Sequence, residues 1–296
     1  MLKIENLSKS YNNKVALSNL NLEMNAPGVY ALLGTNGAGK TTAIRVILGM
    51  LSRDSGTVIW KDKPFRAIND RVGYLSEDRG LYPKLSVYEQ IRYFASLKGL
   101  SRNQAEKAID YWFNRLEIKE YLKKPANLLS KGNQQKMQLA AALISDPELL
   151  VLDEPLSGLD PVNSDLFKSV IREEIENKKY IIMSSHQMPT VEEFCEDIVI
   201  LHKSKTVLQG NLNKIKKSYG RVMLSIKSEG DIMPLVSELN IEMIKQTPGQ
   251  TDFKIKSEGD GEALLKKIIS MGITLIKYEL REPSLHEIFL EKAGEC

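Results

Sequence analysis

Nine consecutive residues, Gly34-Thr35-Asn36-Gly37-Ala38-Gly39-Lys40-Thr41-Thr42, have the types and spacing of a phosphate-binding loop. Its three glycines accept backbone angles that turn successive N–H groups toward one anion. Lys40 adds a full charge for β- and γ-phosphates, and the Thr41 hydroxyl is a ligand for Mg²⁺. The apolar run Val29 to Leu33 before the loop predicts a buried strand, and Ala43 to Leu48 after it predicts a helix. That helix would aim its positive end at the same anion. Strand, glycine turn, Lys-Thr and helix together point to a site for a nucleoside triphosphate.

Hydrolysis of such a ligand needs a cation ligand and a group that orients water. Leu149-Leu150-Val151-Leu152 reads as a buried strand ending in Asp153-Glu154-Pro155. Apolar strands of a parallel sheet carry acids where a ligand waits outside their carboxyl edge. Asp153 is placed there to hold the Mg²⁺ shell, as a Walker B acid does, and Glu154 to orient or deprotonate the attacking water. His186 follows the apolar run Tyr180 to Met183, where a neutral imidazole can bond a γ-phosphate or its water. The other two of the three histidines, His202 and His286, have no such context and read as structural. Ser130 is a good N-cap for a helix through Met137, Ala140, Ala141 and Ile144, which makes a second anion-ready helix end.

The elements that position these groups follow the hydrophobic pattern. Met1 to Asn6, Val15 to Met24, Ser55 to Trp60 and Arg71 to Leu75 read as strands, with Tyr11 between the first two. The last ends at the turn Ser76-Glu77-Asp78-Arg79-Gly80. Val87, Ile91, Phe94 and Leu97 form one helical stripe, and Ile109, Trp112, Phe113 and Leu116 another, both expected in the core. A turn at Ser157-Gly158-Leu159-Asp160-Pro161 precedes a helix to about Asn177, and Asp197 to Leu201 and Thr206 to Leu208 are expected to finish the sheet.

The 296 residues suffice for one large or two ordinary domains. With 42% hydrophobic and 27% charged residues the chain reads as globular. No apolar run reaches the ~18–20 residues of a membrane span, and Met1 to Asn6 lacks the apolar core of a signal peptide. A cytosolic location, docked on a membrane through a partner, is expected. Cys195 and Cys296 are too few for a disulfide framework or zinc site, and fit a reduced compartment. The net charge of +3 is weak, and Lys214, Lys216 and Lys217 read as a solvated helix face. No nucleic-acid partner is expected.

Phosphate loop, Leu129-Ser130-Lys131-Gly132-Asn133 helix start, Leu150 to Pro155 strand, Ser157 to Asp160 turn and His186 together resemble the ATP-binding subunit of an ABC transporter. The resemblance covers roughly residues 1–213. It implies an α/β P-loop ATPase core with a mixed sheet and a helical subdomain at about 80–145. It also implies ATP as substrate with Mg²⁺, and a head-to-tail dimer sandwiching two ATP molecules. Each would be held by Gly34 to Thr42 of one copy and by Ser130, Lys131 and Gly132 of the other. Tyr11 then resembles the aromatic that stacks on adenine, and Asp160 lies in the loop that reaches across the dimer. A homologous subunit can replace the second copy, and a multi-spanning permease would be the membrane partner. A soluble ABC-type ATPase acting on ribosomes or DNA is the alternative, disfavoured by a single phosphate loop and no sustained heptads.

Two residues depart from the family pattern. Glu77 stands where the family commonly has a glutamine that touches Mg²⁺; a carboxylate ligates the cation but donates no N–H. Lys131 and Asn133 replace the third and fifth residues of Leu-Ser-Gly-Gly-Gln. With the stretch Glu77 to Pro83, Lys131 is similar to a branch that includes sodium-extrusion exporters. Beyond Gly210 the chain is expected to form a separate domain, 214–296. Its predicted order is Val222 to Ile226 strand, Asp231 to Leu239 helix, a hairpin of Ile241 to Ile244 and Phe253 to Ile255, Glu262 to Met271 helix, and Thr274 to Glu279 strand. That order is a small ferredoxin-like α+β domain, closed by a capping box at Ser284-Leu285-His286-Glu287. A dimer-support or docking role is expected for it. Lys131 is expected to favour closure of the sandwich by offsetting phosphate charge. Lys131→Gly should therefore weaken ATP-driven dimerisation in sedimentation, and unchanged affinity would count against that role.

Overall fold

The structure is a computed structural model that describes residues 1–66, 71–78 and 80–294. Arg79 of the expected turn, and Cys296, lie outside the described residues. The chain divides into two compact units, Met1–Gln209 and Gly210–Cys296.

The first unit opens with a hairpin, β1 (Leu2–Tyr11) and β2 (Lys14–Met24). Asn12 and Asn13 between them both take positive φ, 42° and 67°, the backbone of a tight two-residue hairpin turn. The turn lets β1 run to Tyr11, five residues past the strand expected from the alternation of Met1 to Asn6. Then come β3 (Gly28–Leu33), α1 (Lys40–Ile47), β4 (Ser55–Trp60), β5 (Lys63–Pro64) and β6 (Val72–Leu75). Helices α2 (Val87–Leu97), α3 (Arg102–Arg115) and α4 (Lys131–Leu143) follow, and then β7 (Leu149–Asp153), α5 (Pro161–Glu176), β8 (Tyr180–Ser185), α6 (Met188–Phe194), β9 (Asp197–His202) and β10 (Lys205–Asn211).

Among the described residues these strands form one mixed sheet in the order β5-β4-β1-β2-β10-β9-β3-β8-β7-β6. The β1–β2 and β1–β4 pairs are antiparallel. From β9 through β3, β8 and β7 to β6 the neighbours are parallel. Every residue of β7 is buried, as a parallel strand covered on both faces requires. Strands β9 and β10 are the last of this sheet in chain order, as expected, and β10 lies inside it between β2 and β9.

Capping boxes at Ser86 with Glu89 and Ser101 with Gln104 start α2 and α3. Val87, Ile91, Ile109, Trp112, Phe113 and Leu116 are buried as the stripes predict. Two residues of the first stripe are not. Phe94 is half-buried and Leu97 is 64% exposed, because the stripe continues past the body it packs on.

The second unit contains α7 (Leu212–Tyr219), β11 (Met223–Ser228), α8 (Met233–Glu238), β12 (Glu242–Thr247), β13 (Gln250–Lys254), α9 (Glu258–Ser270), β14 (Leu275–Arg281) and α10 (Leu285–Gly294). Its sheet is antiparallel in the order β12-β13-β11-β14, the ferredoxin-like arrangement. Phe253, fully buried, packs with Leu235, Leu264 and Ile268 of the two covering helices. Ser284 caps α10 through Glu287, whose carboxylate also takes two bonds from Arg281 at 2.8 Å each. Burial alone would raise that carboxyl, but Arg281 and Ser284 overcome it and hold it at about 2. Short α6 and α7, and two-residue β5, were not expected from the sequence. Only Leu212 is buried in α7, too little apolar pattern to announce a helix.

Candidate functional site

Parallel register decides which residues meet. Leu33 lies beside Ser185, Asp153 beside Ser184, and Leu75 beside Leu152. The loops after β3, β6, β7 and β8 therefore emerge at one carboxyl edge, carrying Gly34 to Gly39, Glu77, Glu154 and His186.

The glycines of the first loop are needed for different reasons. A Cβ on Gly34 (φ 148°) would lie 2.3 Å from the Leu201 carbonyl oxygen, and one on Gly39 (φ 108°) 2.4 Å from that of Ala16. Gly37 (φ 80°) has open space and needs only the left-handed backbone. Gly39 is also the N-cap of α1.

Lys40 opens that helix, buried, with its ammonium donating to the carbonyls of Gly34 (2.8 Å) and Thr35 (3.3 Å). The same ammonium stands 3.1 Å from Glu154 Oε1, a charge contact in which both side chains are 5% exposed. Glu154 Oε2 meets His186 Nδ1 at 2.9 Å. Glu154 takes φ 50°, a strained backbone for a non-glycine residue, and its N–H donates to Ser184 Oγ at 2.9 Å. Ser184 in turn donates to Asp153 Oδ1 at 2.5 Å. Asp153 is fully buried and its Oδ2 has no hydrogen-bond partner. Burial raises its pKa, while the hydroxyls of Ser184 and Thr41 oppose the rise. An orphaned carboxylate oxygen beside a threonine hydroxyl fits a hard cation with oxygen ligands. No ready-made cluster of three or more His, Cys, Asp or Glu exists among the described residues.

A cleft of about 510 Å³ opens over this edge. Tyr11, Asn36, Gly37, Gly39, Lys40, Thr41, Thr42, Glu77 and Glu154 line it. Asp153, fully buried, is tied to that lining through Ser184, and His186, exposed, through its contact with Glu154. Thr35 turns its carbonyl to Lys40, and Ala38 is buried beneath the loop. Ser130, Lys131, Gly132 and Asp160 are not part of the lining; they sit at the starts of α4 and α5. Lys14, Val15, Ala16 and Ser204 also line the cleft and were not anticipated. The first three follow Tyr11 directly across the Asn12-Asn13 turn, a signal the sequence offered. Ser204, brought in by β9 and β10, left none.

Residues 17–157 match the family described as ABC transporter, and residues 210–293 match the one described as ATP-binding protein DrrA1-3-like, C-terminal domain. Over 295 residues, 99% of both chains, the sequence is 42% identical to the uncharacterized ABC transporter ATP-binding protein YhaQ of Bacillus subtilis (strain 168). The chain belongs to the ABC transporter ATP-binding proteins. This ATP-binding subunit is also 33% identical over 210 residues to the lantibiotic transport ATP-binding protein SrtF of Streptococcus pyogenes, covering 71% of this chain and 90% of that one. A solved ATP-binding subunit of an ABC transporter superposes with a TM-score of 0.68 at 27% identity, over 81% of this chain and 99% of that one. The subunit is thus an ABC-type ATPase with the expected fold. Among its described residues no helix is long and apolar enough to cross a membrane.

The two glycine constraints separate cleanly in a stability measurement. Gly37→Ala should cost roughly 1 kcal/mol of backbone strain. Gly34→Ala adds a backbone clash and should cost about 3 kcal/mol. Denaturant midpoints read the difference, and equal losses would contradict the packing of Gly34 under Leu201.

Proposed function

We propose that this ATP-binding subunit drives a separate membrane permease, in the outward direction, by binding and hydrolysing ATP between two copies of itself. The observation that carries the proposal is Glu154, a buried carboxylate held between Lys40 and His186 at the mouth of the phosphate loop. The outward direction leans on the similarity to a lantibiotic transport protein. The permease would hold the subunit at the inner face of the membrane.

In this reading the amides of Gly34 to Thr42 and the Lys40 ammonium bind the phosphates, and Tyr11 stacks on adenine from the far wall of the cleft. Thr41, Asp153 and Glu77 are the residues that would hold Mg²⁺, which neutralises phosphate charge when bound. Lys40 exchanges its contact with Glu154 for phosphate oxygens. Glu154, released, polarises the attacking water, and His186 both orients Glu154 and reaches toward the γ-phosphate. Ser130 to Gly132 and Asp160 lie outside their own copy's cleft, as residues serving the partner's nucleotide would. Neither copy alone then holds a complete site.

A docking surface for the permease is available beside Glu77. An apolar groove of about 230 Å³ runs between β6, α2 and α4, with Leu81, Phe94 and Leu97 in its wall. Lys98 lines it, its ammonium donating to the Val72 carbonyl at 2.8 Å. An acidic group on an apolar helix of the permease would pair with that ammonium and be a favourable occupant.

Two experiments test the two halves of the proposal. Glu154→Gln should lower kcat by about 100-fold or more and accumulate an ATP-bound dimer in size-exclusion chromatography. Hydrolysis at the parental rate would show that Glu154 is not the base. Leu97→Lys should leave ATP hydrolysis of the isolated subunit unchanged while abolishing co-purification with the permease. Undiminished co-purification would place the docking surface elsewhere.

A further inference from the structure

Strand β1 outruns one of its two neighbours at the mouth of the nucleotide cleft. Its ladder with β4 ends where Ser8 lies opposite Ser55, the first residue of β4, so Lys9, Ser10 and Tyr11 run on beyond it. On the other side β2 still pairs with them, Tyr11 lying opposite Lys14, but the register shifts on both sides of Lys9. Irregular pairing of this kind re-aims side chains beside a site and leaves the ladder locally broken.

Asp54 takes the place of the missing strand. Its N–H donates to the Ser8 carbonyl at 2.9 Å. Its Oδ2 accepts from the Ser10 N–H at 2.6 Å, and its Oδ1 from the Lys9 ammonium at 3.0 Å. One residue thus holds three consecutive residues of β1. The Lys9 ammonium also reaches Ser52 Oγ at 3.4 Å and stands 5.5 Å from the centroid of the Tyr11 ring, within the range of a cation–π contact. The Lys9 side chain is only 12% exposed, whereas Tyr11 is 44% exposed and lines the cleft. The ring therefore has a fixed cation against it and exposed surface toward the cleft.

We infer that Lys9 and Asp54 are positioning residues for the nucleobase. Asp54 fixes Lys9 and the backbone before Tyr11, and Lys9 holds the Tyr11 ring ready to receive a base. This rests on the reading above in which Tyr11 stacks on adenine. A loose aromatic side chain at a strand end samples several rotamers, and ordering it on binding costs affinity. A ring already held by Lys9 avoids that cost. Neither Lys9 nor Asp54 lines the cleft, so both act on the base through Tyr11 and leave the phosphates untouched.

The test compares Lys9→Met, Asp54→Asn, Lys9→Arg and Tyr11→Ala with the parent, in the full chain. Calorimetry measures affinity for ATP and for inorganic tripolyphosphate, which has the phosphates and no base, and steady-state hydrolysis gives KM and kcat. Lys9→Met and Asp54→Asn should each weaken ATP binding about 3-fold or more, raising KM with kcat at the parental value. Tripolyphosphate affinity should not change, whereas a merely structural loss would lower both. Lys9→Arg keeps a cation over the ring and a partner for Asp54, and should bind ATP as the parent does. In a Tyr11→Ala background, with ATP binding already weakened roughly 10-fold, Lys9→Met should have no further effect. Parental ATP affinity in Lys9→Met and Asp54→Asn, an equal loss for tripolyphosphate, or an equal loss in the Tyr11→Ala background would overturn the positioning role and leave the stacking reading standing. Parental ATP affinity in Tyr11→Ala would instead remove the stacking reading, and the positioning role with it.

Discussion

An ammonium and a carboxylate held out of water at the end of a parallel sheet are the constraint on which the rest of this structure depends. Lys40 and Glu154 are each 5% exposed, and burying such charges is costly unless each has several partners. The fold provides them. Carbonyls of Gly34 and Thr35 take up the ammonium, and His186 and Lys40 share the carboxylate. Those partners exist because β3, β7 and β8 lie side by side in parallel register, so three chain segments far apart in sequence turn at one edge. In the proposed function, a nucleotide entering the cleft would compete with Glu154 for Lys40, linking arrival of the phosphates to release of the carboxylate.

The same edge explains the division of labour within the chain. Asp153 and Glu154 are adjacent yet face different surroundings. Asp153 is fully buried with one oxygen unpartnered, fit for a cation, whereas Glu154 lines the cleft, fit for water. Glu154 takes a positive φ of 50°, which Asp153 before it does not. The starts of α4 and α5 stand outside the cleft. Ser130, Lys131, Gly132 and Asp160 thus stand outside the lining of the cleft, which is the arrangement the proposed two-copy site requires.

Much of this was legible in the sequence because the chemistry is local. The phosphate loop, the acids after Leu152 and the histidine after Ser185 each sit within one or two residues of a strand end, and strand ends show as breaks in apolar runs. The ferredoxin-like order of the second unit was likewise written in alternating patterns and turn residues. What stayed hidden depends on distance. Ser204 reaches the cleft from a hairpin whose position is set by strand order. The ion pair of Lys40 with Glu154 joins residues 114 positions apart by their numbering. Leu97 continues a helical stripe faithfully, and only the packed body shows that the stripe outruns the core, leaving an apolar edge on a groove.

The account claims at its centre that a complete hydrolytic site is made of two copies, with the start of α4 from one lying over the phosphate loop of the other. The most direct measurement is disulfide trapping between copies, with cysteine placed at Ser130 in one copy and at Asn36 in the other, in a background lacking Cys296. Mixed together, they should form a covalent dimer when ATP is present and not in its absence. A yield that ATP does not change would contradict the account.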